Sequence, residues 1–199
     1  MPEDDLIDFA VAEAALPGQA ESGDLYLVAP HSGGVLVAAI DGLGHGYEAA
    51  QAARTARATL AEDPSAELAD LFLRAHGRLA RSRGVVMSLA SFGRRGTLTW
   101  VGVGNVEGTL ARVEEGRIRP CDSIFLLGGV VGYQLPKLRP SRTTVKPGDI
   151  LILTTDGIRA GYVDGLQHMG DTQALADGIL GEYAKGGDDA LVLVARYRG

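Results

Sequence analysis

Two stretches of this chain, VLVAAI at 35–40 and ILIL at 150–153, carry no polar residue at all. They are short, rich in β-branched residues and bounded by glycine-containing turns, which is the pattern of a strand rather than a helix. A strand without polar alternation has no face to offer water, so both of its faces are expected to be covered. That requirement points to a layered architecture.

Both stretches run almost directly into Asp-Gly, as AIDG at 39–42 and TTDG at 154–157. The same association of an apolar strand with Gly-Asp or Asp-Gly recurs in SGDLYLV (Asp24) and in GGDDALVLV (Asp188, Asp189). Any one of these alone also reads as a plain turn. Together they suggest carboxylates held at the ends of rigid strands. Four like charges around one point repel unless cations sit between them. Carboxylate oxygens, with a backbone carbonyl and water, are the ligands that hard cations such as Mg²⁺ or Mn²⁺ prefer. The chain has neither CxxC nor HExxH, so a structural zinc site or a zinc protease is not expected. DGLGHG at 41–46 lacks the Lys-Ser/Thr of a phosphate loop and the spacing of a dinucleotide fingerprint.

The remaining pattern places strands at 6–16, 25–29 and 35–40, with a hairpin turn at HSGG. An Ala-rich helix is expected over 47–62. A second helix would begin at Pro64-Ser65, with Ser65 as its cap, Glu67 in its first turn and Gly84 as its stop. The apolar stripe of that helix is Leu68, Leu71, Phe72, Ala75 and Leu79. Strands follow at 85–92, 97–103 and 106–113, the last turned by Glu115-Gly116, and then the 150–155 strand. Asp171 caps a weak helix reaching Tyr183, with Leu175 and Ile179 on its face, and a last strand spans 190–195. Consecutive strands broken by a helix pair argue for an α+β fold with antiparallel sheets. No linker divides the chain, so residues 1–199 are read as a single domain.

Apolar residues make up 46% and charged residues 22%, which excludes a strongly disordered class. The net charge of −6 gives no basic footprint for nucleic acid. The acidic start MPEDDLIDFA lacks the regions of a signal peptide, and no apolar run is long enough to span a membrane. The lone Cys121 cannot form an internal disulfide and fits a cytoplasmic protein.

In order, SGD, DGLGHG, a helix pair, RGVVMSLASF, GVGNV, TTDG and a closing DD before an apolar strand span nearly the whole chain. This set resembles the metal-dependent serine/threonine phosphatases of the PPM (PP2C-like) family. Within that family it is most similar to the small bacterial branch acting in the stressosome. The resemblance implies an αββα sandwich of two antiparallel β-sheets flanked by helix pairs, with no room for a preceding sensor domain. It also implies two Mn²⁺ or Mg²⁺ ions. Asp41 would bridge them and the Gly42 carbonyl would bind one. Asp24 would complete the second-metal site, and Asp156 with Asp188 (or, alternatively, Asp189) would hold the first. The implied reaction is hydrolysis of phosphoserine or phosphothreonine without a covalent intermediate, by a water activated between the cations. The implied partners are phosphorylated STAS-domain proteins of a stressosome. A catalytically inactive module on the same fold, acting by partner binding, is the alternative.

Two departures from the family pattern stand out. Leu43 occupies the position where many eukaryotic members carry a histidine, and no arginine precedes Arg54 to hold phosphate. His45 is read as exposed at the helix start, Asn105 as support for a turn, Trp100 as core and Cys121 as inert. His31, His76 and His168 lack metal-ligand spacing. The irregular segment LLGGVVGYQLPKLRP, with Tyr133, Lys137 and Arg139, reads as a solvated loop or as a surface for a phosphoprotein.

Overall fold

The computed structural model describes residues 6–114, 117–165 and 170–199. Two sheets stack face to face. One has the order β1 (Ile7–Ala14), β11 (Ala190–Tyr197), β10 (Ile150–Thr154), β6 (Glu107–Glu114), β7 (Arg117–Ser123). The other has the order β2 (Asp24–His31), β3 (Gly34–Gly42), β4 (Val85–Gly93), β5 (Thr97–Val103), β8 (Leu126–Leu127), with β9 (Ser141–Thr144) also paired to β5. Every pairing is antiparallel except the two-residue contact of β5 with β8.

The outer face of the β2–β5 sheet is covered by α1 (Tyr47–Ala61) and α2 (Leu68–Leu79). The outer face of the other sheet is covered by α3 (Thr172–Tyr183) and a 3-10 turn at Tyr162–Gly165. The layering is therefore αββα, with a helix pair on one side and, among the described residues, α3 on the other.

The strands without polar alternation owe their composition to this layering. In β3, Val35, Val37 and Ala39 enter the layer between the sheets, while Leu36, Ala38 and Ile40 enter the layer under α1 and α2. In β10, Leu151 and Leu153 face between the sheets, while Ile150 and Ile152 face α3. Burying each such Leu, Ile or Val side chain contributes roughly 1.5–3 kcal/mol. Trp100 lies in the inter-sheet layer, as expected.

The α2 stripe of Leu68, Leu71, Phe72, Ala75 and Leu79 is buried as its periodicity predicts. Its start differs. The helix begins at Leu68 after Glu67, and Ser65 bonds the Asp63 carboxylate rather than capping. It ends at Leu79, short of Gly84, whose positive φ serves the turn into β4. Asp171 caps α3, accepting from the Ala174 amide at 2.9 Å. Strands β7, β8 and β9 lie where no regular pattern was read: β7 is exposed on nearly every residue, and the other two are very short. The Glu115-Gly116 turn, His168 and the first five residues lie outside the described residues.

Candidate metal centre

Strand parity decides which side chains meet at one edge of the sandwich. Successive side chains alternate faces. Because Val37 and Ala39 point between the sheets, so does Asp41; because Tyr26 and Val28 do, so does Asp24. The β2–β3 register sets Asp24 directly opposite Asp41. Opposed positions on a sheet bring side chains within about 4.5–5.5 Å, and like charges placed there destabilise the pair. From the facing sheet, continuing Leu151 and Leu153 brings in Thr155, and continuing Leu193 and Leu191 backwards brings in Asp189.

These inward groups are tied together. The Thr155 hydroxyl donates to Asp24 Oδ2 at 2.6 Å and accepts the Leu191 amide at 2.9 Å, linking the two sheets. Asp189 is buried and accepts the Leu16 amide on Oδ1 and the Gly23 amide on Oδ2, both at 2.7 Å. Both its oxygens are thus engaged in holding the β1–β2 connection. Asp188 is exposed and lines the cleft.

That cleft, about 480 Å³, is walled by Asp41, Asp156 and Asp188 together with His45 and Asn105. Asn105 does more than support a turn: its amide donates to Asp156 Oδ2 at 2.8 Å. The Lys185 ammonium bonds the Asp156 carbonyl. His45 is exposed, as read from the sequence, yet stands on the cleft wall. A larger cleft of about 1020 Å³ opens around Phe9, His31 and Arg94, at the far end of the β2–β3 hairpin, and carries none of the strand-end aspartates. His76 is structural, accepting the Gly132 amide on Nδ1 at 2.9 Å. Tyr133 on the next residue is almost fully exposed, and nearby Val130 lines the cleft.

The glycines after the aspartates are dictated by close packing. A Cβ on Gly42 would stand 2.1 Å from the Ala49 carbonyl oxygen, so α1 rests directly on this residue. A Cβ on Gly157 would stand 1.9 Å from the Asp189 carbonyl oxygen. Only a residue without a side chain allows such an approach. Gly44 and Gly46 have positive φ and turn the chain into α1.

The electrostatics follow from the crowding. Burial, reinforced by Asp24 and then by Asp156, Asp188 and Asp189, pushes the Asp41 carboxyl up to about 8. Burial pushes Asp24 up to about 7; the Thr155 hydrogen bond opposes the rise, and the other three aspartates add to it. Among the described residues no three His, Cys, Asp or Glu side chains stand close enough to form a ready-made cage. Asp41, Asp156 and Asp188 line the cleft, with Asp24 buried beside Asp41. The donor set is all oxygen, concentrated in charge, and suited to hard divalent cations.

Sequence reasoning missed Thr155 and undervalued Asn105. The parity of ILIL, carried two residues past Leu153, was the available signal for Thr155. Nothing short of the fold reveals that the β5–β6 turn meets the end of β10.

Two stacked antiparallel sheets with helices outside, and strand-end carboxylates at one edge, define a PP2C-like phosphatase fold. The structure matches RsbX in complex with magnesium, at 20% identity over 98% of this chain and 97% of that chain, with TM-score 0.82. It matches the catalytic domain of the serine/threonine protein phosphatase PstP in complex with 2 manganese ions, at 17% identity over 97% of this chain and 99% of that one, with TM-score 0.73. A third match comes from "The bacterial stressosome: a modular system that has been adapted to control secondary messenger signaling", at 28% identity over 96% of this chain and 99% of that chain, with TM-score 0.84. The chain belongs to the SpoIIE family: the model described as Stage II sporulation protein E matches residues 31–198. No curated protein sequence matches it.

Proposed function

We propose that this protein is a metal-dependent protein phosphatase that removes phosphate from phosphoserine or phosphothreonine of stressosome STAS-domain proteins, resetting a stress-signalling complex. The observation that carries the reading is the directly opposed pair Asp24 and Asp41, at a sheet edge where Asp156 and Asp188 line the same cleft. Two carboxylates held face to face by backbone register need counter-charge, and two Mn²⁺ or Mg²⁺ ions would provide it.

Asp41 would bridge the ions and the Gly42 carbonyl would bind one. Asp24, steadied by Thr155, would complete the second site; Asp156, steadied by Asn105, would hold the first with Asp188. Asp188 is favoured over Asp189 because both Asp189 oxygens already accept backbone amides. Bound cations would supply Lewis-acid charge and a water acidic enough to attack phosphorus. The chain's own task is positioning: the strand ends hold the carboxylates on a rigid frame, and the open cleft admits a phosphorylated side chain from a protein surface. The stressosome assignment rests on the likeness to RsbX and to the stressosome structure.

The test is release of phosphate from a phosphorylated STAS-domain protein with Mn²⁺. The wild type should be active, and both excess EDTA and Asp41→Asn should abolish turnover. Full activity in either case overturns the mechanism; equal hydrolysis of small phosphoesters and the phosphoprotein overturns the scaffold assignment.

A further inference from the structure

Among the described residues, no lysine or arginine lines the candidate metal cleft, and Lys185 is bound to the Asp156 backbone carbonyl. The proposed substrate of the cleft is nonetheless an anion on a protein. Cationic side chains gather next door, in a groove of about 400 Å³ between α1 and the turn after α2. Its wall includes Glu48, Gln51, Thr55, Arg78, Arg81 and Arg83. Three arginines within residues 78–83 are a local excess in a chain of net charge −6.

The groove meets the cleft wall at one contact, between Arg83 and Gly44. Arg83 Nη1 lies against Gly44, where an added Cβ would come within 2.5 Å of it, and Gly44 also lines the cleft. The arginines differ in what holds them. Arg83 Nε pairs with Glu48 at 2.6 Å, and Arg78 pairs with Glu62 through two contacts of 2.5 and 2.7 Å. All four side chains are about half exposed or more. Such pairs are weak and exchange readily for another carboxylate. Arg81 makes no hydrogen bond or ion pair among the described residues. The result is a cationic groove that abuts the cleft wall at Arg83, with two guanidinium groups loosely held by Glu48 and Glu62 and Arg81 free of either.

We propose that this groove docks an acidic segment flanking the phosphorylated residue of the substrate, with Arg81 and Arg83 as its principal contacts. This rests on the phosphatase reading of the adjoining cleft. Carboxylates of the segment replace Glu48 and Glu62 on the arginines, and Arg83 marks the point where the segment passes from groove to cleft. Selectivity for acidic flanks would then come from α1 and α2, outside the acidic centre.

The probes are two fluorescein-labelled phosphoserine peptides, identical except that one carries a glutamate run and the other a lysine run beside the phosphoserine. Binding is read by fluorescence anisotropy in EDTA at low ionic strength. The wild type should prefer the acidic peptide by about tenfold, close to 1.4 kcal/mol, and added salt should shrink the preference. Arg81→Glu should remove the preference. Arg119→Glu, the same charge change on exposed β7, should keep it. Equal binding of the two peptides by the wild type, or equal loss in both variants, overturns the groove. Release of phosphate from the phosphorylated STAS-domain protein by the wild type with Mn²⁺ is measured alongside. Peptide preference without hydrolysis would overturn the phosphatase reading alone; hydrolysis without preference would overturn the groove alone.

Discussion

Replacing the central aspartate should make the metal-free protein more stable while removing its function. In the folded chain the Asp41 carboxyl is held at about 8 rather than the ordinary 3.8, first by burial and then by Asp24 opposite it. A folded-state value raised above the unfolded one contributes stability that is complete below about pH 4 and lost as pH rises through about 8. At pH 7 the unfolded chain ionises this group and the folded chain resists doing so. The difference is at most about 4 kcal/mol. Asparagine has nearly the same shape and does not ionise, so Asp41→Asn escapes that loss. For a chain of this size, about 4 kcal/mol corresponds to a rise in Tm of up to roughly 8–16 °C. Thermal melting in EDTA, followed by circular dichroism between about pH 5 and about pH 9, is the assay. The wild-type Tm should fall across that range, and the variant's should fall much less. Excess Mn²⁺ should stabilise the wild type and leave the variant unchanged. A variant that melts below the wild type at pH 7 in EDTA, or a wild type indifferent to pH, would refute the reasoning.

Four other substitutions separate ligands from supports. Asp189→Ala strands two amides that now meet a carboxylate, so denaturant titration should show a loss of about 3 kcal/mol; Asp188→Ala should leave stability nearly intact and weaken Mn²⁺ binding in calorimetry. Asn105→Ala removes the group that orients Asp156 and should weaken Mn²⁺ binding by about 10–100-fold with little change in Tm. Gly42→Ala drives a methyl group against the Ala49 backbone, and urea unfolding should report a cost of about 3 kcal/mol.

Much of this fold was legible because its core strands are covered on both faces. Residues 35–40 and 150–153 announced buried strands, and the α2 stripe announced a helix, since burial there acts on every residue or every turn. Strand β7 was not legible, because an exposed edge strand imposes no apolar pattern: only Ile118 is buried. The Ser65 cap was misplaced because Ser, Asp and Glu all crowd the turn before α2, and the Asp63 carboxylate captured the hydroxyl. At the site, the strand-end aspartates could be named from local sequence, and the choice between neighbours could not. Asp188 and Asp189 differ only in parity, which turns one towards the cleft and the other towards the Leu16 and Gly23 amides. Asn105 meets Asp156 across 51 residues of chain, a contact that only the sheet order creates.

The central claim is that these strand-end carboxylates hold two divalent cations. The most direct measurement is anomalous diffraction at the manganese edge from crystals grown with Mn²⁺. The account predicts two peaks with Asp41 between them, Asp24 beside one and Asp156 with Asp188 beside the other, while Asp189 touches neither. Density with no peak among these carboxylates, or an ion held by Asp189 in place of Asp188, would contradict it.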